Sequence, residues 1–180
     1  SDMNEQRLDE QFLILHGKAG NWPGDTTLGC AEAIYRTAKT FSANSVFLDI
    51  NPGPGRSMIF LADAAKIVGA KVYTVGDFAA HETVWYNRAM KLFRLQDTVE
   101  HRRQGSDLPN PDFIVMRRDG DCKSRYESIN GRGAMLIIGD NRDDIDGQYA
   151  EYLTNGNINT YGTSAAAEYH FEQQDFTIAK

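Results

Sequence analysis

The stretch Ser45-Val-Phe-Leu-Asp-Ile-Asn-Pro-Gly-Pro-Gly-Arg-Ser57 constrains this chain more than any other. Val46, Phe47, Leu48 and Ile50 form a short apolar run of strand-forming residues. The Asn-Pro-Gly-Pro-Gly sequence at 51–55 then forces a turn, and the apolar run from Ser57 onward predicts a helix. A buried strand, a glycine turn and a helix N-terminus together offer a seat for an anionic or nucleotide-like ligand. Gly53 and Gly55 matter because a residue without Cβ takes positive φ and lets a ligand approach the backbone.

The rest of the chain repeats that alternation. Asp25, Thr26 or Thr27 can cap a helix whose apolar stripe is Leu28, Ala31, Ile34, Tyr35, Ala38 and Phe41. After the glycine turn comes a helix over 57–68 that is apolar nearly all round, closed by Gly69. Strands are expected at Lys71–Val75, Thr98–Arg102, Asp112–Met116 and Ala134–Ile138. A third helix is expected over 82–95, with Trp85, Ala89, Leu92 and Phe93 on one face. A short helix after 126 and a last helix after the acidic run 143–151 complete the pattern. The segments 158–161 and 176–179 read as an antiparallel hairpin. These βαβ units predict an α/β fold, a Rossmann-like three-layer sandwich whose sheet is mostly parallel apart from that hairpin. The domain reading is an N-terminal segment and loop over 1–25 and a single ligand-binding domain over 26–180. Within the first part, residues 16–25 read as an irregular loop, because they hold three glycines and a Trp-Pro pair. Trp22 in that loop is expected to pack rather than to act as a lid.

Composition removes several functions. With 19 Lys and Arg against 25 Asp and Glu, the net charge is −6, which disfavours binding a nucleic-acid backbone. No apolar run approaches the ~18 residues of a membrane span, so no membrane association is expected. Two cysteines are too few for a disulfide framework and suit a reducing compartment, so the expected location is cytoplasmic. The four histidines are dispersed, with no metal-ligand spacing. Ser-His-Asp order, a nucleophile elbow and a phosphate-binding loop are all missing from the sequence.

In a parallel sheet the ligand sits beyond the carboxyl ends of the strands. Here those ends carry Asp49, Asp77, Ser106 with Asp107, Asp119 with Asp121, and Asp140 with Asn141. A dinucleotide fingerprint would need a third glycine at position 58, which is Met58, and Asp49 would repel a pyrophosphate. A ligand with an amino group and a ribose but no phosphate fits better.

With those residues in view, the sequence resembles the class I S-adenosylmethionine-dependent methyltransferases. It looks most like the small-molecule O-methyltransferases similar to catechol O-methyltransferase. The resemblance spans roughly residues 26–180. It implies that Asp49, Asn51, Gly53, Gly55 and Ser57 form the loop for the methionine part of the cofactor, and Asp77 the ribose contact. Ser106 and Asp107 would lie beside the adenine. It further implies Lys123, in Lys-x-x-Tyr126, and Asp119 as catalytic residues, with Asp119, Asp140 and Asn141 as ligands for a divalent cation such as Mg²⁺. The partner implied is a small-molecule methyl acceptor, and a homodimer is left open.

Three residues depart from the family pattern. Asn51 stands at the usual first glycine, and Gly76 at the usual ribose acid, with Asp77 one later. Arg117 stands at the ungapped position of the first metal ligand, so Asp119 takes that place only across a two-residue insertion. These departures keep a catalytically degenerate cofactor-binding module in contention, ahead of a nicotinamide-dependent oxidoreductase.

Overall fold

The computed structural model describes residues 2–24, 26, 28–117, 134–138, 158–161 and 176–179, with backbone alone at 2–9 and from 117 onward. Its elements in chain order are α1 (Asp2–Ala19), α2 (Leu28–Ala38), β1 (Val46–Ile50), α3 (Arg56–Val68), β2 (Lys71–Val75) and α4 (Ala80–Leu92). Then follow β3 (Val99–Arg102), β4 (Phe113–Arg117), β5 (Ala134–Ile138), β6 (Ile158–Tyr161) and β7 (Phe176–Ala179).

The strands form one sheet in the order β3-β2-β1-β4-β5-β7-β6. All pairings from β3 to β5 are parallel. β7 is antiparallel to both its neighbours, with Ile158 opposite Ala179 and Leu136 opposite Ile178, so the expected hairpin forms. The strand order reverses between β1 and β4, and β1 therefore points its carboxyl end into the crevice where such sheets bind ligands. The crossovers β1–α3–β2 and β2–α4–β3 run outward in the same direction, and right-handedness puts α3 and α4 on one face.

The core explains why the strands read as unbroken apolar runs. Phe47, Leu48, Phe113, Ile114 and Val115 are fully buried. Phe47 and Phe113 meet edge-on at 5.8 Å, and Phe41 lies flat over Phe113 at 5.6 Å. On the helical side Phe12 packs on Tyr35 and on Phe60. Gly69 ends α3 as expected: at φ 85° its N–H reaches back to the Ala65 carbonyl.

Two expectations needed correction. Residues 16–19 are helical rather than loop: α1 runs through Gly17 to Ala19. A glycine inside a helix costs roughly 0.5–1 kcal/mol. Burying Phe12 and Leu15 on the same face, about 1.5–3 kcal/mol each, outweighs that. The second correction concerns α4, which starts and ends earlier than expected, at Ala80 and Leu92. Its inward face carries Tyr86 and Ala89, while Leu92 is 64% exposed. Glu82 fixes the early start by accepting the Ala79 N–H at 2.9 Å. The helices expected after 126 and 151, and any cap at Asp25 or Thr27, lie outside the described residues.

Candidate functional site

The glycine loop at 51–55 joins β1 to α3 at the point where the strand order reverses. Three of its residues take positive φ: Asn51 at 53°, Gly53 at 58° and Gly55 at 98°. Asparagine is one of the few side chains that tolerate this conformation. The Asn51 N–H donates to the Val75 carbonyl at 2.7 Å, extending the β1–β2 pairing one residue past the strands. That bond aims the Asn51 side chain across the end of β2. There it lies against Gly76, in the space that a Cβ on residue 76 would need. The two departures from the family pattern are therefore one feature: Asn51 occupies the room that Gly76 vacates. Asp77 follows on the exposed side of the same turn.

Beneath the loop, Ser57 Oγ donates to Asp49 Oδ2 at 2.8 Å, and both residues are fully buried. This bond ties the last turn of β1 to the first turn of α3, which sets the loop's span. A Cβ on Gly55 would press on the Met58 side chain at 3.2 Å and would touch Ala89 and Tyr86 of α4 at ordinary contact distance, 3.6 Å. A Cβ on Gly53 would lie 3.2 Å from Glu82 Oε2. The carboxylate that starts α4 thus also borders the loop.

A polar network sits under the end of β2. Thr74 Oγ1 is 2.7 Å from the Tyr86 hydroxyl and 3.0 Å from His101 Nδ1. Phe78 covers this network, 4.7 Å from the Tyr86 ring and 4.5 Å from that of His101. Burial pushes the Tyr86 phenol up to about 12, with Thr74 pulling the other way and the Asp49 charge adding to the rise. Burial also lowers His101, against the opposing pull of the Gly76 backbone and Asp77. Both rings are thus held uncharged at neutral pH, and they support the Gly76-Asp77 turn from below.

Sequence reasoning missed what holds the loop from the N-terminal side. Arg56 is buried, and its guanidinium meets backbone carbonyls instead of a carboxylate. Nη1 donates to the Ala19 carbonyl at 2.8 Å and Nε to the Thr26 carbonyl at 2.7 Å, with longer bonds to Gly20 and Trp22. The last carbonyls of α1 carry the negative end of its dipole, which suits this charge. Trp22 is packed, as expected, edge-on against Trp85 and Phe93. Its Nε1–H also donates to the Pro54 carbonyl at 3.0 Å, inside the loop itself. The signal for Arg56 in the sequence was a charge at the start of a helix whose next turns, Met58 to Ala62, are apolar.

Of the predicted site residues, Asp49, Asn51, Gly53, Gly55 and Ser57 come together in the loop, and Asp77 lies beside it. Ser106 and Asp107 are exposed in the turn after β3. Their backbones bond to Arg103 and Arg102. Asp119, Lys123, Asp140 and Asn141 lie outside the described residues. The backbone of β4 ends on Arg117, opposite Ile138 of β5. Among the described residues no three His, Cys, Asp or Glu side chains gather as metal ligands, and no helix is long and apolar enough to cross a membrane.

No protein-family model and no curated protein matches the sequence. Solved structures do match, and they share one class of fold. An O-methyltransferase from Bacillus cereus, in complex with S-adenosylhomocysteine, superposes with a TM-score of 0.65 at 16% identity, over 96% of this chain and 89% of that one. Precorrin-6y C5,15-methyltransferase from Geobacter metallireducens gives 0.62 at 14% identity, over 86% and 89%. The O-methyltransferase TomG from Streptomyces achromogenes, in complex with S-adenosylmethionine, gives 0.62 at 12% identity, over 96% and 88%. The chain therefore has the Rossmann-like α/β fold of S-adenosylmethionine-dependent methyltransferases.

Proposed function

We propose that this protein is an S-adenosylmethionine-dependent methyltransferase acting on an oxygen atom of a small molecule. The observation that carries the reading is the glycine loop, buttressed by Asp49 and Ser57, at the reversal point of a sheet shared with methyltransferases. When bound, S-adenosylmethionine supplies a methyl group made electrophilic by its sulfonium.

The residues present fit such a cofactor. The loop's positive-φ backbone leaves Gly53 without a side chain where an amino-acid portion would approach. Asn51 and the exposed Asp77 flank the end of β2, where ribose hydroxyls need acceptors. The chain's own work is positioning: the loop and the Gly76-Asp77 turn are each braced from below and would hold a bound methyl donor in a fixed orientation. Lys123 and Asp119, which follow β4 in sequence, are the candidates for removing the acceptor's proton. Asp119, Asp140 and Asn141, which follow β4 and β5, are the residues that would hold a divalent cation. The remaining assignments are a small-molecule acceptor as partner and the cytoplasm as location.

A second reading is a cofactor-binding module without catalysis. Asn51 lying over Gly76 favours it, because the ribose acid then has to act from one position later. Calorimetry with S-adenosylhomocysteine and with NAD separates these readings from an oxidoreductase. Binding of the former alone is expected; heat from NAD alone would sink both. Transfer of a labelled methyl group to a panel of small hydroxylated acceptors then separates enzyme from module. If the cofactor binds but no acceptor is labelled, at any divalent-metal concentration, the module reading wins.

A further inference from the structure

Three of the five exposed large hydrophobic residues among those described border one cavity: Ile14 of α1, Ile67 of α3 and Leu92 of α4. They are 62%, 50% and 64% exposed. Such side chains scattered singly need no explanation, but three around one hollow do. The cavity has a volume of about 840 Å³, within the range of small-molecule sites. It opens toward the far end of α3 from the glycine loop, about 12–18 Å along the helix axis from Gly55. It is a different place from the glycine loop, and none of its lining residues belongs to that loop.

The charges around it run against those of the whole chain. The chain carries −6, yet Lys18, Lys66 and Arg94 line this cavity against a single carboxylate, Asp63. Asp63 is engaged, accepting the Tyr35 hydroxyl at 3.2 Å. Among the described residues none of the three cations forms an ion pair, although Lys66 Nζ donates to the Phe93 carbonyl at 3.3 Å. Arg94 stands just past the end of α4 at φ 54°, where glycine is the usual residue. A cation is thus kept, at some conformational cost, on the rim of an apolar hollow.

We propose that this cavity binds an amphiphilic carboxylate, its alkyl or aryl body on Ile14, Ile67 and Leu92 and its head group among Lys18, Lys66 and Arg94. Apolar contact supplies affinity, and the cations select the anion over a neutral or cationic amphiphile of the same length.

The test uses decanoate, decanol and decyltrimethylammonium below their micelle concentrations, followed by calorimetry and tryptophan fluorescence. Trp22 is a natural reporter, because its ring lies 5.7 Å from that of Phe93, which lines the cavity. Decanoate is expected to bind once per chain, at least tenfold more tightly than decyltrimethylammonium. A Lys66→Ala/Arg94→Gly double variant should lose that tenfold preference while still binding decanol as the wild type does. Ile67→Asn should weaken all three. All three altered positions lie at the surface, and circular dichroism checks that the variants fold. Equal binding of the anionic and cationic probes, or an unchanged preference in the double variant, overturns the proposal. So does light scattering that finds a dimer made monomeric by Leu92→Ser, with no decanoate bound: a second copy would then be the occupant.

Discussion

Asn51 lies over Gly76 so closely that no β-carbon can be added at position 76 without moving it. The two residues directly follow neighbouring strands, β1 and β2, and are bound into one unit by the Asn51 N–H to Val75 carbonyl bond. Gly76→Ala should therefore collide with Asn51 and also strain a backbone at φ 140°. The expected loss is about 1–3 kcal/mol, read as a melting temperature lower by roughly 2–4 °C per kcal/mol. Adding Asn51→Gly should return part of it, since the pair shares one volume. Additive losses in the double variant would show that the collision is not the cause.

Ser57→Ala removes the donor that Asp49 Oδ2 accepts from, inside a fully buried pair. We expect a stability loss of about 1–3 kcal/mol. Affinity for S-adenosylhomocysteine should fall with it, because the bond sets the span of the loop. Thermal melts with and without the ligand measure both. A loss of stability with unchanged affinity would assign the pair to the fold alone.

Asp77→Ala should weaken S-adenosylhomocysteine about tenfold or more if this carboxylate accepts the ribose hydroxyls. Because Asp77 is exposed, the melting temperature without ligand should stay within about 1 °C. Calorimetry on both proteins decides it, and equal affinity would move the ribose contact elsewhere, with Asn51 next in line.

Two half-buried histidines make stability depend on pH. His16 is lowered by burial and then by the charge of Arg56; His101 is lowered by burial. Both folded values lie below the ordinary 6.5, so protonation favours the unfolded chain. Their contribution is complete above about pH 6.5 and is lost as pH falls through the lower folded values. Melting temperatures of wild type and a His16→Gln/His101→Gln variant should converge between pH 7.5 and pH 5. Parallel curves would show that neither ring matters.

Much of this molecule could be read from its sequence because βαβ periodicity and glycine punctuation act locally. The strand at Val46–Ile50, the helix ended by Gly69 and the terminal hairpin each follow from residues close in the chain. Where the reading went astray, distant contacts had overruled local preference. Gly17 argued for a loop until Phe12 and Leu15 found Tyr35 and Phe60 to bury against. Leu92 looked inward by spacing, yet α4 ends there and turns it out. The loop itself was legible, but the meaning of Asn51 was not. It needed the register of β1 on β2 to bring position 51 beside position 76.

Arg56 carries a consequence for the order of events in folding. Its bond to the Ala19 carbonyl spans 37 residues, and the Trp22 bond to Pro54 spans 32. Closing loops of that length takes time that a strand–turn–helix does not need. The segment from Val46 to Val68 can assemble early from near neighbours, but Arg56 meets its carbonyls only when α1 and the residues after it, up to Thr26, come back across it. The glycine loop is thus braced late, by a segment that precedes it in the chain.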